Sequence, residues 1–271
     1  MTELNLSTDQ LDRYSRHIIM DEVGPEGQQT LLHSSVLVVG AGGLGSPILQ
    51  YLGAAGVGDI TIVDDDTVER SNLQRQIIHG VSDIGRAKVE SAAEYLAELN
   101  PDVTVTTRQT RLNQENVTDL THGHDVVVDA SDNFTTRYLI NDACMLAGIP
   151  YVHGAVYQFE GQAATFTSDG PCYRCLFPEA PPEGAVPDCA TAGVLGIVPG
   201  TIGCIQATEV IKLLLDHGNS LNGRMIYYDA EEMSFDPIEI KQNPECPVCS
   251  DTPTITSVDE ATYSERCRLS D

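Results

Sequence analysis

Val36-Leu37-Val38-Val39-Gly40-Ala41-Gly42-Gly43-Leu44-Gly45-Ser46-Pro47 is the stretch on which the fold of this 271-residue chain turns. Four consecutive apolar residues read as a strand buried on both faces. The glycines that follow permit positive φ and close backbone approach, and Pro47 suits the first turn of a helix. A strand, a glycine loop and a helix in that order set amide N–H groups and a helix N-terminus where a phosphate can sit.

The same alternation continues on both sides of the loop. Residues 7–20 read as a helix, with Ser7 and Thr8 as N-caps and Leu11, Tyr14, Ile18 and Ile19 on one face. A short helix near 25–33 precedes the first strand. Downstream come a strand at 60–63, a helix at 84–99, a strand at 103–107, a short helix near 114–120, a strand at 126–129 and a helix at 133–147. This βαβα rhythm predicts an α/β protein with a doubly wound, mostly parallel, Rossmann-like sheet. After Pro150 the pattern changes to strands at 151–156, 162–167, 225–229 and 234–240, a C-terminal mixed β segment, with an apolar helix at 199–216. Residues 177–188 form a Pro-rich, acidic loop. The expected layout is a single domain over 1–250, with N-terminal helices at 7–34, a nucleotide-binding half at 35–150, a second half at 151–250 and a flexible tail at 251–271.

Composition narrows the partners. The formal net charge is −25, with 40 acidic residues against 15 basic ones, and only Lys88, Lys212 and Lys241 are lysine. Such a surface repels nucleic acid and anionic membranes. It also suits a high-salt cytoplasm, where charge self-repulsion is screened. No apolar run approaches the ~20 residues of a membrane span. The N-terminus MTELNLSTDQ is acidic and lacks the apolar core of a signal peptide. A reducing, cytoplasmic setting is therefore expected, in which thiols act as metal ligands or catalysts more often than as disulfides.

Three clusters carry chemistry. In the first, Gly40, Gly42, Gly43 and Gly45 form the phosphate loop and Asp64 ends the second strand, where a carboxylate can accept from ribose hydroxyls. This pair does not separate ATP from NAD. In the second, Arg70, Arg75, Arg86 and Lys88 face a single acid, Asp83, within residues 70–88. A triphosphate repelled by the overall field needs such local cations, whereas the pyrophosphate of NAD is served by backbone amides. Ser131-Asp132-Asn133 follows the strand at 126–129, where open α/β sheets bind ligands; Asp132 suits Mg²⁺ against phosphates or, alternatively, a helix N-cap. In the third, Cys172-Tyr173-Arg174-Cys175 and Cys246-Pro247-Val248-Cys249 are two C-x-x-C pairs among eight cysteines. Four thiolates suit a closed tetrahedral Zn²⁺ site, here a clamp tying distant segments together. Cys144 and Cys204 read as core residues.

Jointly, Arg13-Tyr14-Ser15-Arg16, the glycine loop, the strand end 62–66, Ser71-Asn72-Leu73-Gln74-Arg75-Gln76, Lys88, 129–133, the two cysteine pairs and 188–196 resemble the MoeB/ThiF family of ubiquitin-activating-like adenylyltransferases. The resemblance spans about 7–250, and the acidic, lysine-poor version is most like the haloarchaeal members, activators of small archaeal ubiquitin-like modifier proteins. It implies ATP contacts by Gly43 and Asp64. Ser71, Asn72, Leu73, Gln74 and Arg75 would line the phosphates and adenosine, with Lys88 opposite. Asp132 would hold Mg²⁺ and Asn133 would shape the site. Arg16 would act across a homodimer interface, Cys189 matches a thioester-forming position, and 151–250 would bind the carrier. The implied activity is adenylation of the C-terminal carboxylate of small ubiquitin-like or sulfur-carrier proteins, for protein conjugation, tRNA thiolation or molybdopterin synthesis. Some members carry a C-terminal rhodanese domain; the residues after Cys249 are too few for one, so a separate sulfur donor is expected. Cys267 lies outside the shared motifs. An NAD-dependent oxidoreductase and a non-catalytic nucleotide-binding scaffold are the alternatives.

The charge balance carries its own test. The midpoint of thermal unfolding should rise between dilute buffer and molar KCl. An unchanged midpoint contradicts salt adaptation.

Overall fold

The computed structural model describes residues 5–179 and 193–263. Eight strands form one sheet in the order β3-β2-β1-β4-β5-β6-β7-β8. They are β1 (Ser35–Val39), β2 (Asp59–Val63), β3 (Thr104–Arg108), β4 (Val126–Asp129), β5 (Tyr151–Tyr157), β6 (Glu160–Phe166), β7 (Arg224–Asp229) and β8 (Ser234–Glu239). The first five pair in parallel and the last three continue the same sheet antiparallel. Nine helices are described: α1 (Thr8–Arg13), α2 (Ser15–Ile18), α3 (Gly24–His33), α4 (Gly45–Ala55), α5 (Lys88–Leu99), α6 (Val117–Thr121), α7 (Phe134–Ala147), α8 (Tyr173–Leu176) and α9 (Ile197–Leu214).

The period-2 geometry of the strands divides the core into two layers. Val36, Val38, Ile60, Ile62, Val126 and Val128 face α4, α5 and α9, whereas Leu37, Val39, Val63 and Val127 face α7 and the aromatic rings of Tyr151 and Phe166. Strands buried on both faces must read as unbroken apolar runs, which is why the parallel half is legible in the sequence. Pro237 is tolerated in β8 because that strand is the sheet's edge.

Several expectations shift. The helix expected at 7–20 breaks at Tyr14, whose side chain turns inward; its hydroxyl donates to Asp102 Oδ2 at 3.0 Å and accepts from Asn100 Nδ2 at 2.8 Å. The helix expected from 84 begins at Lys88, since Gly85 takes φ +89° and Ala87 is extended. The tail expected to be loose from 251 is docked through 263. Tyr263 donates to Asp142 Oδ2 at 2.6 Å, and Gln114 Nε2 donates to the carbonyls of Val258 at 2.7 Å and Ala261 at 3.3 Å. Val258 is buried in the core layer under α7 and Ile255 packs on the cysteine cluster, but these are single apolar residues with no periodicity to announce them. Residues 264–271, with Cys267, lie outside the described residues. Cys144 is fully buried as expected, but Cys204 is only partly covered. Helix α9 has 18 residues and a mean hydropathy of 1.3, enough by length and composition for a membrane span. It packs instead on α4 and across β4, β5 and β6.

Candidate active site

The carboxyl ends of β1, β2 and β4 open into a cavity of about 320 Å³. Its floor is the turn after β1. Gly40 takes φ +104°, and a Cβ on Gly45 would lie 2.0 Å from the Gly40 carbonyl oxygen, so only glycine closes this loop. Gly42, Gly43 and Leu44, which lead into the N-terminus of α4, line the cavity, the setting in which a helix start receives a phosphate.

Two side chains hold the loop by a single residue. Ala41 N–H donates to Asp64 Oδ2 at 2.8 Å, and the Ala41 carbonyl accepts from His79 Nε2 at 2.9 Å. The other ring nitrogen of His79 meets Ser91 Oγ at 2.9 Å. Burial pushes the pKa of His79 down, so the ring is neutral at pH 7, and the carbonyl acceptor requires its proton on Nε2. Burial pushes Asp64 up, an effect that the Lys88 charge and bonds from the amides of Ala41 and Asp66 offset in part.

Of the residues picked from sequence, Gly40, Gly42, Gly43, Asp64, Arg75, Lys88, Asp132 and Asn133 line the cavity. Gly45 sits beneath them as the first residue of α4. Ser71, Asn72, Leu73 and Gln74 do not reach the wall. They form a turn in which Asn72 Oδ1 accepts from Glu69 N–H, and this turn delivers Arg75. Arg16 stands apart: Tyr14, two residues before it, packs on Gly56 at the far end of α4 from the loop. Cys189 lies outside the described residues.

The cation cluster of 70–88 is only half in the site. Lys88 is buried, with Nζ 2.7 Å from Asp66 Oδ2, and Arg75 lies over the loop. Arg86 is spent on the surface with Asp83 and Glu94, and Arg70 is not on the cavity wall. The missing charge comes from two arginines the local count overlooked, Arg111 beyond β3 and Arg137 in α7. Proximity along the chain was the wrong criterion, because strand ends gather residues from remote segments. Arg137 did have a signal, one helical turn after Asn133. His79 had none, since a lone histidine in a loop is uninformative by type.

The N-cap alternative for Asp132 is resolved by its neighbour. Asn133 Oδ1 accepts from Thr136 N–H at 2.8 Å and caps α7. Among the described residues, the exposed Asp132 carboxylate takes a 3.4 Å contact from Asn133 Nδ2 and no closer one. It therefore has acceptor capacity for a hard cation such as Mg²⁺.

About the second half of the chain, Cys172, Cys175, Cys246 and Cys249 converge, with all four sulfurs within 4.8 Å of one another. The closest pairs are Cys175–Cys249 at 3.3 Å, Cys172–Cys246 at 3.5 Å and Cys172–Cys175 at 4.0 Å. A tetrahedron of Zn–S bonds of ~2.3 Å has edges near ~3.8 Å, so the set fits Zn²⁺. Four protein ligands leave no position for substrate, and the group's chemistry there is structural. The knuckle is pinned to α7: Arg174 makes a two-pronged pair with Asp142 at 2.7 Å, and Tyr173 N–H donates to Asn141 Oδ1 at 2.8 Å.

A family model described as the ThiF family matches residues 14–248. The chain belongs to the ThiF family. It is 61% identical over 98% of its length to the SAMP-activating enzyme E1 of Haloferax volcanii, covering 98% of that protein. It is 52% identical to a sulfur carrier protein adenylyltransferase of Thermus thermophilus, over 91% of this chain and 93% of that one. Among solved structures, E. coli MccB with ATP shares the fold with a TM-score of 0.78 at 22% identity, over 92% of this chain and 77% of that chain. Membership explains why the glycine loop, the turn at 71–76 and the cysteine pairs occur together in one chain.

The zinc assignment is checked by elemental analysis, which should find one zinc per chain. Cys246→Ser should lose it and unfold at a lower temperature, because structural metal binding contributes folding free energy. A fully folded, metal-free wild-type protein contradicts the clamp.

Proposed function

We propose that this ThiF-family protein transfers AMP from ATP to the C-terminal carboxylate of small ubiquitin-like or sulfur-carrier proteins. The observation that carries this reading is one cavity joining an amide-lined glycine loop, four cationic side chains and an uncapped carboxylate: Arg75, Lys88, Arg111, Arg137 and Asp132. Relatives that match nearly end to end are named for activating or adenylating such proteins. Hydride transfer is disfavoured by the cations at Arg75 and Lys88, which a nicotinamide cofactor does not need, and among the described residues the cavity wall offers no histidine as its acid or base.

In this reading a carrier carboxylate oxygen attacks the α-phosphorus of ATP. The bond from that phosphorus to the bridging oxygen breaks, and pyrophosphate leaves with the electron pair. The nucleophile is already ionised, so no strong base is needed. Rate comes from positioning and from charge neutralisation in a low-dielectric cleft. Lys88 and Arg75 oppose the charge that develops on the phosphates, and Gly40, Gly42 and Gly43 admit the backbone to them. Mg²⁺, held by Asp132, would supply further neutralisation of the leaving pyrophosphate. The half at 151–250 would bind the carrier and present its tail. Sulfur from a separate donor, giving a thiocarboxylate, or the Cys189 thiolate, giving a thioester, would then attack the acyl carbon of the adenylate; the bond from that carbon to the phosphate oxygen breaks and AMP leaves, for conjugation, tRNA thiolation or molybdopterin synthesis in the cytoplasm.

The place of Arg16 supports a homodimer. Helix α4 is 11 residues long, about 16 Å at ~1.5 Å per residue, and separates the anchor of Tyr14 from the cavity of the same chain. Arg16 would therefore act in the cavity of a second copy.

ATP–pyrophosphate exchange that depends on a ubiquitin-like carrier tests the reading. Lys88→Ala and Arg75→Ala should each slow it ~10²-fold, as loss of ~3 kcal/mol of transition-state stabilisation would. Cys189→Ser should keep exchange and lose any thiol-sensitive adduct. No exchange with any carrier, or wild-type rates in both charge variants, rejects adenylation. Mixing inactive Arg16→Ala and Lys88→Ala chains should restore part of the activity. Subunits that exchange without rescue place Arg16 outside the partner's site.

A further inference from the structure

Behind the cavity, and off its wall, lies a buried pair that the reaction above does not use. Asp129 and His153 are register partners on β4 and β5, and both side chains are fully buried. His153 Nδ1 is 2.7 Å from Asp129 Oδ2. Asp129 Oδ1 accepts from Ser131 N–H at 3.0 Å and from Ser131 Oγ at 2.6 Å. The next residue is Asp132. Gln206 Nε2 fixes the same strand end by donating to the Asp129 carbonyl at 2.8 Å.

The proton assignments run one way. A carboxylate that receives two bonds from Ser131 is ionised and can only accept, so the proton lies on His153 Nδ1. Although burial works to raise Asp129, bonds from His153 and Ser131 hold it below the usual carboxylate range, and burial keeps the His153 ring neutral. His153 Nε2 has no partner among the described residues. An unpaired buried nitrogen is a cost that an apolar residue at 153 would avoid, so packing alone does not account for histidine there. The ring is wedged by Tyr173 of the zinc knuckle, with centroids 5.0 Å apart.

We propose that His153 is a positioning residue for the metal-bound nucleotide: through Asp129 and Ser131 it sets the carboxylate of Asp132 toward the cavity. This rests on the adenylation reading for the role of Asp132. Groups that orient a metal ligand from behind typically control ~10- to 100-fold in metal affinity or activity.

Calorimetric titration with ATP, in excess Mg²⁺ and in Mg²⁺-free buffer without chelator, separates positioning from general support of the fold. In wild type, Mg²⁺ should tighten ATP binding. In His153→Leu that tightening should shrink ~10-fold or more, while affinity without Mg²⁺ and zinc content stay at wild-type values. His153→Asn places an amide N–H near Nδ1 and should recover most of the Mg²⁺ effect. An undiminished effect in folded His153→Leu, or an asparagine variant as defective as leucine, overturns the proposal. If His153→Leu fails to fold, Asp129→Asn weakens the same link from the middle, since a neutral amide no longer accepts as a carboxylate from both His153 and Ser131. It too must weaken the Mg²⁺ effect, and no change there overturns the proposal equally. Carrier-dependent exchange by the wild type is the control: its absence rejects adenylation, whereas its presence beside indifferent variants rejects only the role of His153.

Discussion

The Ala41 peptide is gripped from both sides, its N–H by Asp64 and its carbonyl by His79. Much of the molecule serves that grip. Asp64 can reach the loop because β2 pairs with β1 in parallel and in register, Val39 opposite Val63. His79 can reach it because the turn at 70–72 and the loop after it fold back over α5, where Ser91 takes the second ring nitrogen. A loop of glycines has no side chains with which to hold itself, and its freedom is entropically costly to freeze. Rigid partners on both peptide groups remove that freedom and leave the remaining amides aimed at the cavity.

The second half of the chain is tied to the first through α7. One end of that helix begins beside Asp132 and Asn133. Farther along, Asn141 and Asp142 receive the cysteine knuckle through Tyr173 and Arg174, and Tyr263 adds the docked tail to the same carboxylate. Breaking this arrangement by one partner would leave a buried Asp142 short of donors, the costly case for buried charge. The cysteine set therefore anchors the element that presents the cavity's acidic group, although it stands apart from the chemistry.

Charge is sorted on two scales. The chain as a whole carries 40 acidic against 15 basic residues, whereas the cavity wall gathers Arg75, Lys88, Arg111 and Arg137 from four separate segments beside Asp64, Asp65, Asp66 and Asp132. A polyanionic nucleotide thus meets long-range repulsion from the chain's net charge and, in the cleft, a local concentration of cations to pair with, where low dielectric strengthens each contact. Arg86 shows how easily the distinction is missed in one dimension: two residues from Lys88, it belongs to the acidic surface and its ion pairs.

What the sequence by itself determined follows from local physics. Buried parallel strands must be continuously apolar, glycine must stand where the loop closes on itself, and thiol pairs must be spaced for a metal. These requirements made β1, β2, β4, the glycine loop and the four cysteines legible, as did joint motifs for the family. Only the tertiary structure decided which cations enter the cavity, that Asn133 rather than Asp132 caps α7, that His79 and His153 hold the loop and the strand end, and that residues 251–263 are docked. Each of these turns on polar contacts between remote segments, joined for the docked residues by the isolated apolar Ile255 and Val258. Such contacts leave no periodicity, because a hydrogen bond constrains two atoms and not a face of a helix or strand.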